Sequence, residues 1–397
     1  MIAVGIDVSK GKSTVAIISS YGEIIMKPTD FHHNNPSMQQ LTSTLLNFDD
    51  EVRVVMEATG HYHQPILKAL LEANLFVSVV NPYIIKKYAD NDIRKGKTDK
   101  KDAMRIAWYA LEKQHTLTSY SITEERYDTL KFLSRQYKQC VSMRVKGRVQ
   151  LHNLLDEIMP GIQNIITSQT ENPDNNFFYK FVMKYGSYDK IKAMSEGRFI
   201  NSYVKLAYKS KARCPEAKAL KVYEAAKRSI TTRPFDTSTQ IVLTEYISLL
   251  KQTEISCNTL MKQMQSIAYT MPEYRILLAM DGVGFRIAPI LIAEIGDVRR
   301  FKNAKALNAY AGNDAPPYQS GQYESQNRHI SKRGSSELRK ACYEVMQSLK
   351  LHQKVDNPIY QYMLKKEAEG KPKDVAKMAG VNKFLRIYYA RVMELYK

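Results

Sequence analysis

The sequence predicts an α/β N-terminal part, a helical middle and a mainly α C-terminal part. Three patterns predict it. Short apolar runs separated by turn residues fill the first 80 residues, and helical periodicity then takes over. Two long stretches in the middle repeat apolar residues at spacings of three and four. The last third alternates compact helical patterns with one polar, Gly- and Pro-containing stretch, Gly312 to Gly334. The divisions fall at 1–115, 116–270 and 271–397 of the 397 residues, in keeping with a chain too long for one core.

Taken in order, Met1–Val8, Ser13–Ser19 and Glu23–Met26 read as an antiparallel meander, with a turn at Tyr21-Gly22. A helix over Met38–Leu46, a strand over Val52–Met56, a helix over Pro65–Ala73 and a strand over Phe76–Val80 follow. A basic stretch, Ile93–Lys101, leads into a helix from Asp99 to Leu111. Strands that first meander and then alternate with helices predict a mixed sheet covered by helices. In the middle, Leu130, Leu133, Tyr137, Leu151, Leu155 and Ile158 mark one long helix, ended by Pro160-Gly161. Leu243, Ile247, Leu250, Cys257, Met261 and Met264 mark a second, and the two are expected to pair as an antiparallel coiled coil. Residues 161–236, rich in Tyr and Lys, read as irregular. Gly312–Gly334 reads as an exposed loop on a helical scaffold.

Composition narrows the function. There are 59 Lys and Arg against 40 Asp and Glu, a formal charge of +19. Such a chain attracts polyanions. No run approaches the ~18 consecutive apolar residues of a membrane span, so nucleic acid is favoured over membrane. The start, MIAVGIDVSK, sets an acid directly after its apolar run, unlike a signal peptide. Cys140, Cys214, Cys257 and Cys342 form no CxxC pair, which disfavours zinc or disulfides and suits a reducing cytoplasm.

Four carboxylates stand out. Asp7 ends the first strand, Glu57 follows the fourth, and Asp99 and Asp102 open a helix three residues apart, on one side. If the first and fourth strands are neighbours, Asp7 and Glu57 meet, and a helix across their ends adds the other two. Oxygen-only donors suit Mg²⁺ or Mn²⁺. The competing reading is structural: a turn acid, an N-cap at Asp99, and acids that favour the helix dipole. Arg94, Lys95, Lys97, Lys100, Lys101 and Arg105 crowd around Asp99 and Asp102, as suits a phosphodiester, though a solvated charged face has the same composition. Arg144 and Arg148 belong to a basic helix face with Arg135, Lys138 and Lys146, a candidate RNA or DNA track.

Near the C-terminus, Gly282-Val283-Gly284 reads as the hairpin of a helix-hairpin-helix that admits a phosphate, or as an ordinary glycine turn. Ser320 sits beside Gly321 in the polar loop, with Arg328, His329, Lys332 and Arg333 within fourteen residues to assist a nucleophile or hold phosphate. A plain turn serine is the alternative.

These residues carry a resemblance. Gly5-Ile6-Asp7-Val8-Ser9-Lys10, Val55–Gly60, Lys97–Ala103, Arg148–Gly161, Phe301–Gly312, Tyr318–Gly321 and His329–Gly334 are ordered blocks. Together they resemble the bacterial transposases of the insertion-sequence-one-hundred-ten type, the DEDD-and-serine group. The resemblance spans nearly the whole chain and is poor over 161–236. It departs at Ala315, which intervenes where the family often has Pro directly after an Asp like Asp314. It implies a RuvC-like, RNase-H-type N-terminal domain with Asp7, Glu57, Asp99 and Asp102 as its acids. It implies Ser320 as nucleophile, through a transient phosphoserine, in a C-terminal transposase domain. It also implies a homo-oligomer (dimer or tetramer) with a composite site, a structured guide RNA from the element, donor and target DNA as substrates, and work at the bacterial nucleoid. A metal-only RuvC-like, structure-selective nuclease is the alternative, with no need of Ser320.

Overall fold

The computed structural model describes the chain apart from residues 59–61, 90–97, 121–124, 168–171, 211, 213–214, 316–318, 321–322 and 325–328, and gives only the backbone at 89, 319–320 and 323–324. It divides into two compact units, Met1–Ile122 and Thr123–Lys397.

The first unit is built on a five-stranded sheet. Its strands are β1 (Ile2–Ser9), β2 (Lys12–Ser19), β3 (Ile24–His32), β4 (Val52–Glu57) and β5 (Phe76–Val80), in the order β3-β2-β1-β4-β5. β1, β2 and β3 form the expected antiparallel meander, while β4 runs parallel to both β1 and β5. This is the RNase-H-type order that the resemblance implies. Helices α1 (Asn35–Leu46), α2 (Gln64–Glu72), α3 (Pro82–Ala89) and α4 (Asp99–Glu112) accompany it. α3 is additional to the sequence reading, where Asn81-Pro82 marked only a strand end.

Alternation along the strands separates two cores. Val4, Ile6, Val15, Ile17 and Val54 pack with Leu41, Leu45, Ile66 and Leu70 of α1 and α2 on one face. Ala3, Ala16, Ile18 and Val55 pack with Ala103, Ile106, Ala107 and Ala110 of α4 on the other. The second face carries small residues, Ala3, Gly5 and Ala16 against Ala103 and Ala107, where α4 lies almost on the sheet. A Cβ on Gly5 would sit 2.1 Å from the Ala107 nitrogen and 2.3 Å from the Ala103 oxygen.

The second unit hangs on two long antiparallel helices, α5 (Glu125–Ile158) and, later in the chain, α11 (Thr237–Tyr269). Gly147 makes room at the crossing, where a Cβ would meet Leu250 at 3.2 Å. Between them in sequence come α6 (Ile162–Ile165), α7 (Phe177–Tyr185), α8 (Tyr188–Lys192), α9 (Glu196–Lys209) and α10 (Pro215–Arg228). Residues 161–236, expected to be irregular, are thus a helical insert. Phe177, Phe181, Tyr185, Phe199 and Tyr203 interlock edge-to-face or tilted in its core. Asn176 and Ser187 cap α7 and α8 by accepting from Tyr179 N and Lys190 N. This core also takes in Leu151, Leu155 and Ile158 of α5 and Leu243 and Ile247 of α11.

The opposite end of the helix pair belongs to the second core of this unit. Tyr127 and Leu130 of α5 and Met264 and Ala268 of α11 pack there with the C-terminal helices. Those are α12 (Pro272–Leu278), α13 (Ile287–Ile295), α14 (Ala304–Tyr310), α15 (Ser336–His352), α16 (Pro358–Ala368) and α17 (Lys373–Met393). The stretch expected to be a plain loop contains a two-stranded hairpin, β6 (Gln319–Ser320) and β7 (Tyr323–Glu324). Among the described residues no helix is long and apolar enough to cross a membrane.

Candidate active site

Strand register builds the acidic edge. Asp7 pairs with Thr14 of β2, and Thr14 with Asp30 of β3. On the other side, Glu57 lies one step beyond the parallel Ile6–Met56 pair, beside Asp7. Paired residues share a face, so Asp30, Thr14, Asp7 and Glu57 form one row across four strands. The row lies on the α4 face, since Gly5, two residues before Asp7, touches α4. Asp99 and Asp102 occupy the first turn of that helix. The N-cap of α4 is Thr98, whose hydroxyl accepts from Lys101 N at 3.3 Å, so Asp99 is not the cap.

The row has a cationic occupant from the chain itself. Lys12 Nζ donates to Asp30 Oδ2 at 2.7 Å and stands 4.0 Å from Asp99 Oδ2. The bond to Asp30, with the charges of Asp99 and Asp7 behind it, raises the lysine above its usual range. Bonds from Lys12 and from Thr14 Oγ1, at 2.7 Å, hold the Asp30 carboxyl below its own. Asp102 faces Arg105 at 2.9 Å. Among the described residues, no three His, Cys, Asp or Glu side chains are arranged to hold a metal ion. The donors on this edge are nevertheless all carboxylate oxygens on adjoining strand ends and one helical turn, which fits Mg²⁺ or Mn²⁺ in kind. Lys12, Thr14 and Asp30 were not singled out in the sequence. Only the β2–β3 register, across 18 residues, reveals them.

In the second unit, the polar loop is clamped at its base. Lys332 N donates to Gly312 O at 3.1 Å, Ser331 N to Asp314 O at 2.7 Å and Ser335 N to Tyr310 O at 2.6 Å. Ser331 Oγ also donates to the Asp314 carboxylate. Gly312, at φ +64°, and Gly334 lie backbone to backbone, and a Cβ on Gly334 would sit 2.0 Å from Tyr310 O. Beneath them Glu294, 2% exposed, accepts from Ser335 Oγ and from Arg135, each at 3.1 Å. From this base rises the β6–β7 hairpin, in which Ser320 pairs with Tyr323. Lys332, with φ +54°, and Arg333 stand at the returning end. Arg94, Lys95, Lys97 and Arg328 lie outside the described residues, as does the Ser320 side chain.

The remaining candidates divide. Gly282, at φ +83°, is pressed against α15, where a Cβ would meet Leu349 at 2.8 Å and Val345 O at 3.0 Å; Gly284 has open space beside it. On the basic face of α5, Arg135 serves Glu294 and Lys138 serves Glu337. Arg144 and Arg148 face a cleft beside the insert, with Arg148 3.8 Å from Glu254.

Two family models match in chain order. A DEDD transposase model of the IS110 type matches residues 4–160, and a model described as transposase IS116/IS110/IS902 family matches residues 274–361. The insertion element IS116 44.8 kDa protein of Streptomyces clavuligerus is 24% identical over 372 residues, 93% of this chain and 89% of its own length. The insertion element IS110 43.6 kDa protein of Streptomyces coelicolor is 22% identical, covering 78% of this chain and 75% of its own. The putative transposase of the mini-circle IS117, also from S. coelicolor, is 23% identical with the same coverage. Two RuvC structures from Thermus thermophilus, one in complex with a Holliday junction substrate, match 31% of the chain and 99% and 100% of their own. Their identities are 13% and 14%, and the TM-score is 0.24 for both. The insert lies outside both family models, which accounts for its poor match to the family pattern. With both models matched in chain order over an α/β unit and a helical remainder, the chain belongs to the IS110 family of insertion-element transposases and is an enzyme of DNA transposition.

Proposed function

We propose that this transposase cuts and rejoins DNA with Ser320 as nucleophile and the edge formed by Asp7, Glu57, Asp99 and Asp102 as its divalent-metal site. The observation that carries the reading is the placement of Asp7 and Glu57 on adjacent parallel strands under the helix whose first turn bears the other two acids. Bound there, Mg²⁺ or Mn²⁺ supplies Lewis acidity toward phosphate oxygens. Lys12 and Arg105 neutralise the acids in the structure as it stands, and they are the groups that give way to the metal. The Ser320 oxygen replaces a deoxyribose oxygen on the scissile phosphorus, and joining reverses the exchange with a hydroxyl of the new strand. Lys332, Arg333 and Arg328 are assigned to the neighbouring phosphate oxygens.

The acids and the serine belong to different units, which suits a composite site shared between the copies of a dimer or tetramer. A structured RNA encoded by the element is the proposed guide to donor and target DNA. It accounts for a +19 chain that needs to read backbone and shape rather than bases. The test is a recombination assay in cells with the element's flanking DNA on a donor plasmid. Ser320→Ala and Asp7→Ala are each expected to abolish junction products while the protein accumulates normally. A live Ser320→Ala beside a dead Asp7→Ala sinks the serine mechanism in favour of a metal-only nuclease.

A further inference from the structure

The insert has no part in that chemistry, yet it forms one wall of a cleft of 740 Å³. Arg144 and Arg148 of α5 and Arg286, just before α13, line it, together with Glu254 of α11. The carboxylate is already engaged: Tyr179 Oη donates to it at 2.9 Å, and Arg148 stands 3.8 Å away. Burial and the neighbouring Glu254 push the Tyr179 phenol up, so it remains a donor. Burial and Arg148 hold the His152 imidazole, also in the lining, below its usual value. Among the described residues, no carboxylate pairs with Arg144 or Arg286. The cleft is therefore electropositive. Phe178, Ile166 and Leu250 back it but are 8%, 2% and 0% exposed, so the face it presents is mainly polar, with Gln163 and Asn176 adding amide edges.

We propose that this cleft binds the backbone of an unpaired nucleic-acid strand, with its phosphates on Arg144 and Arg286. The assignment rests on the nucleic-acid role proposed above and locates a contact outside the catalytic groups. Guanidinium forks match phosphate oxygens. The volume lies in the range of about 300–1,000 Å³ that encloses a ligand of nucleotide size. A positively charged groove that tracks the backbone holds single strands whatever their bases. RNA and DNA share this chemistry.

The experiment is fluorescence anisotropy on the full chain with labelled single strands of about 15 nucleotides, one RNA and one DNA. Arg144→Ala/Arg286→Ala is expected to weaken binding about tenfold. It should also flatten the slope of log affinity against log salt by about 0.7 for each phosphate released. Arg144→Lys/Arg286→Lys, which keeps charge and packing but loses the forks, is expected to fall between and carries the test if the alanine pair fails to fold. A loss confined to RNA or to DNA supports the cleft and names the strand, and a loss for both supports the shared chemistry. Unchanged affinity and slope in folded variants, for both strands, overturn this inference and leave the serine mechanism standing. A wild-type chain that binds neither strand also overturns the inference, while the recombination assay alone decides the serine mechanism.

Discussion

Gly5 decides how closely the acids can assemble. Its missing side chain lets the backbone of α4 rest on β1, and that contact fixes Asp99 and Asp102 over the end of the strand carrying Asp7. Gly5→Val places three carbons where the Ala103 and Ala107 backbone stands. We expect a loss of about 3 kcal/mol in urea unfolding, together with loss of recombination. A variant as stable as the parent would show that α4 is free to lift. Legibility at this scale depended on distance along the chain. Asp7, Glu57 and the Asp99–Asp102 pair could be read because strand ends and a helical start mark them locally. Lys12 and Asp30 could not, because a charged pair inside a hairpin looks like any polar strand surface until Thr14 is aligned with both Asp7 and Asp30. Buried Glu294 was hidden for a related reason: its partners, Arg135 and Ser335, are 159 and 41 residues away.

At the scale of elements, short apolar runs placed β1, β2, β4 and β5 and helical period placed the two long helices, whereas β3, mostly exposed, shows only its start, Glu23–Met26, in the sequence. The insert was misread as irregular although Phe177, Phe181 and Tyr185 recur every four residues. Its helices are short, and aromatics interspersed with lysines blur the contrast between faces. The serine hairpin was read as a loop because two-residue strands leave no period. What holds that hairpin is its base, where Gly334 meets Tyr310 and Gly312. Gly334→Ala forces those backbones apart, and we expect it to cost about 1–3 kcal/mol and to cut junction formation at least tenfold. Because the methyl lies at the base and not at Ser320, DNA affinity measured by anisotropy should stay within about twofold; a full loss of affinity would mean that the loop binds rather than cuts.

For the whole molecule, the distribution of cores makes the strongest prediction. The two cores of Met1–Ile122 draw only on that unit, and the two of Thr123–Lys397 only on theirs. Within the second unit, α5 and α11 each run through both cores, so neither core can come apart without disturbing helices that the other needs. Calorimetry should therefore resolve two transitions rather than one or three. With about 0.7 kcal/mol per residue near 60 °C, units of 122 and 275 residues predict enthalpies of about 85 and 190 kcal/mol. Gly5→Val should lower the midpoint of the smaller transition and leave the larger in place, whereas Gly334→Ala should do the reverse. If instead a single peak of summed enthalpy moves as one with either variant, the units share their stability, and the acids and the serine are thermodynamically coupled within one chain. Two independent peaks fit a recombinase whose acidic and serine halves fold separately and are free to be contributed by different copies.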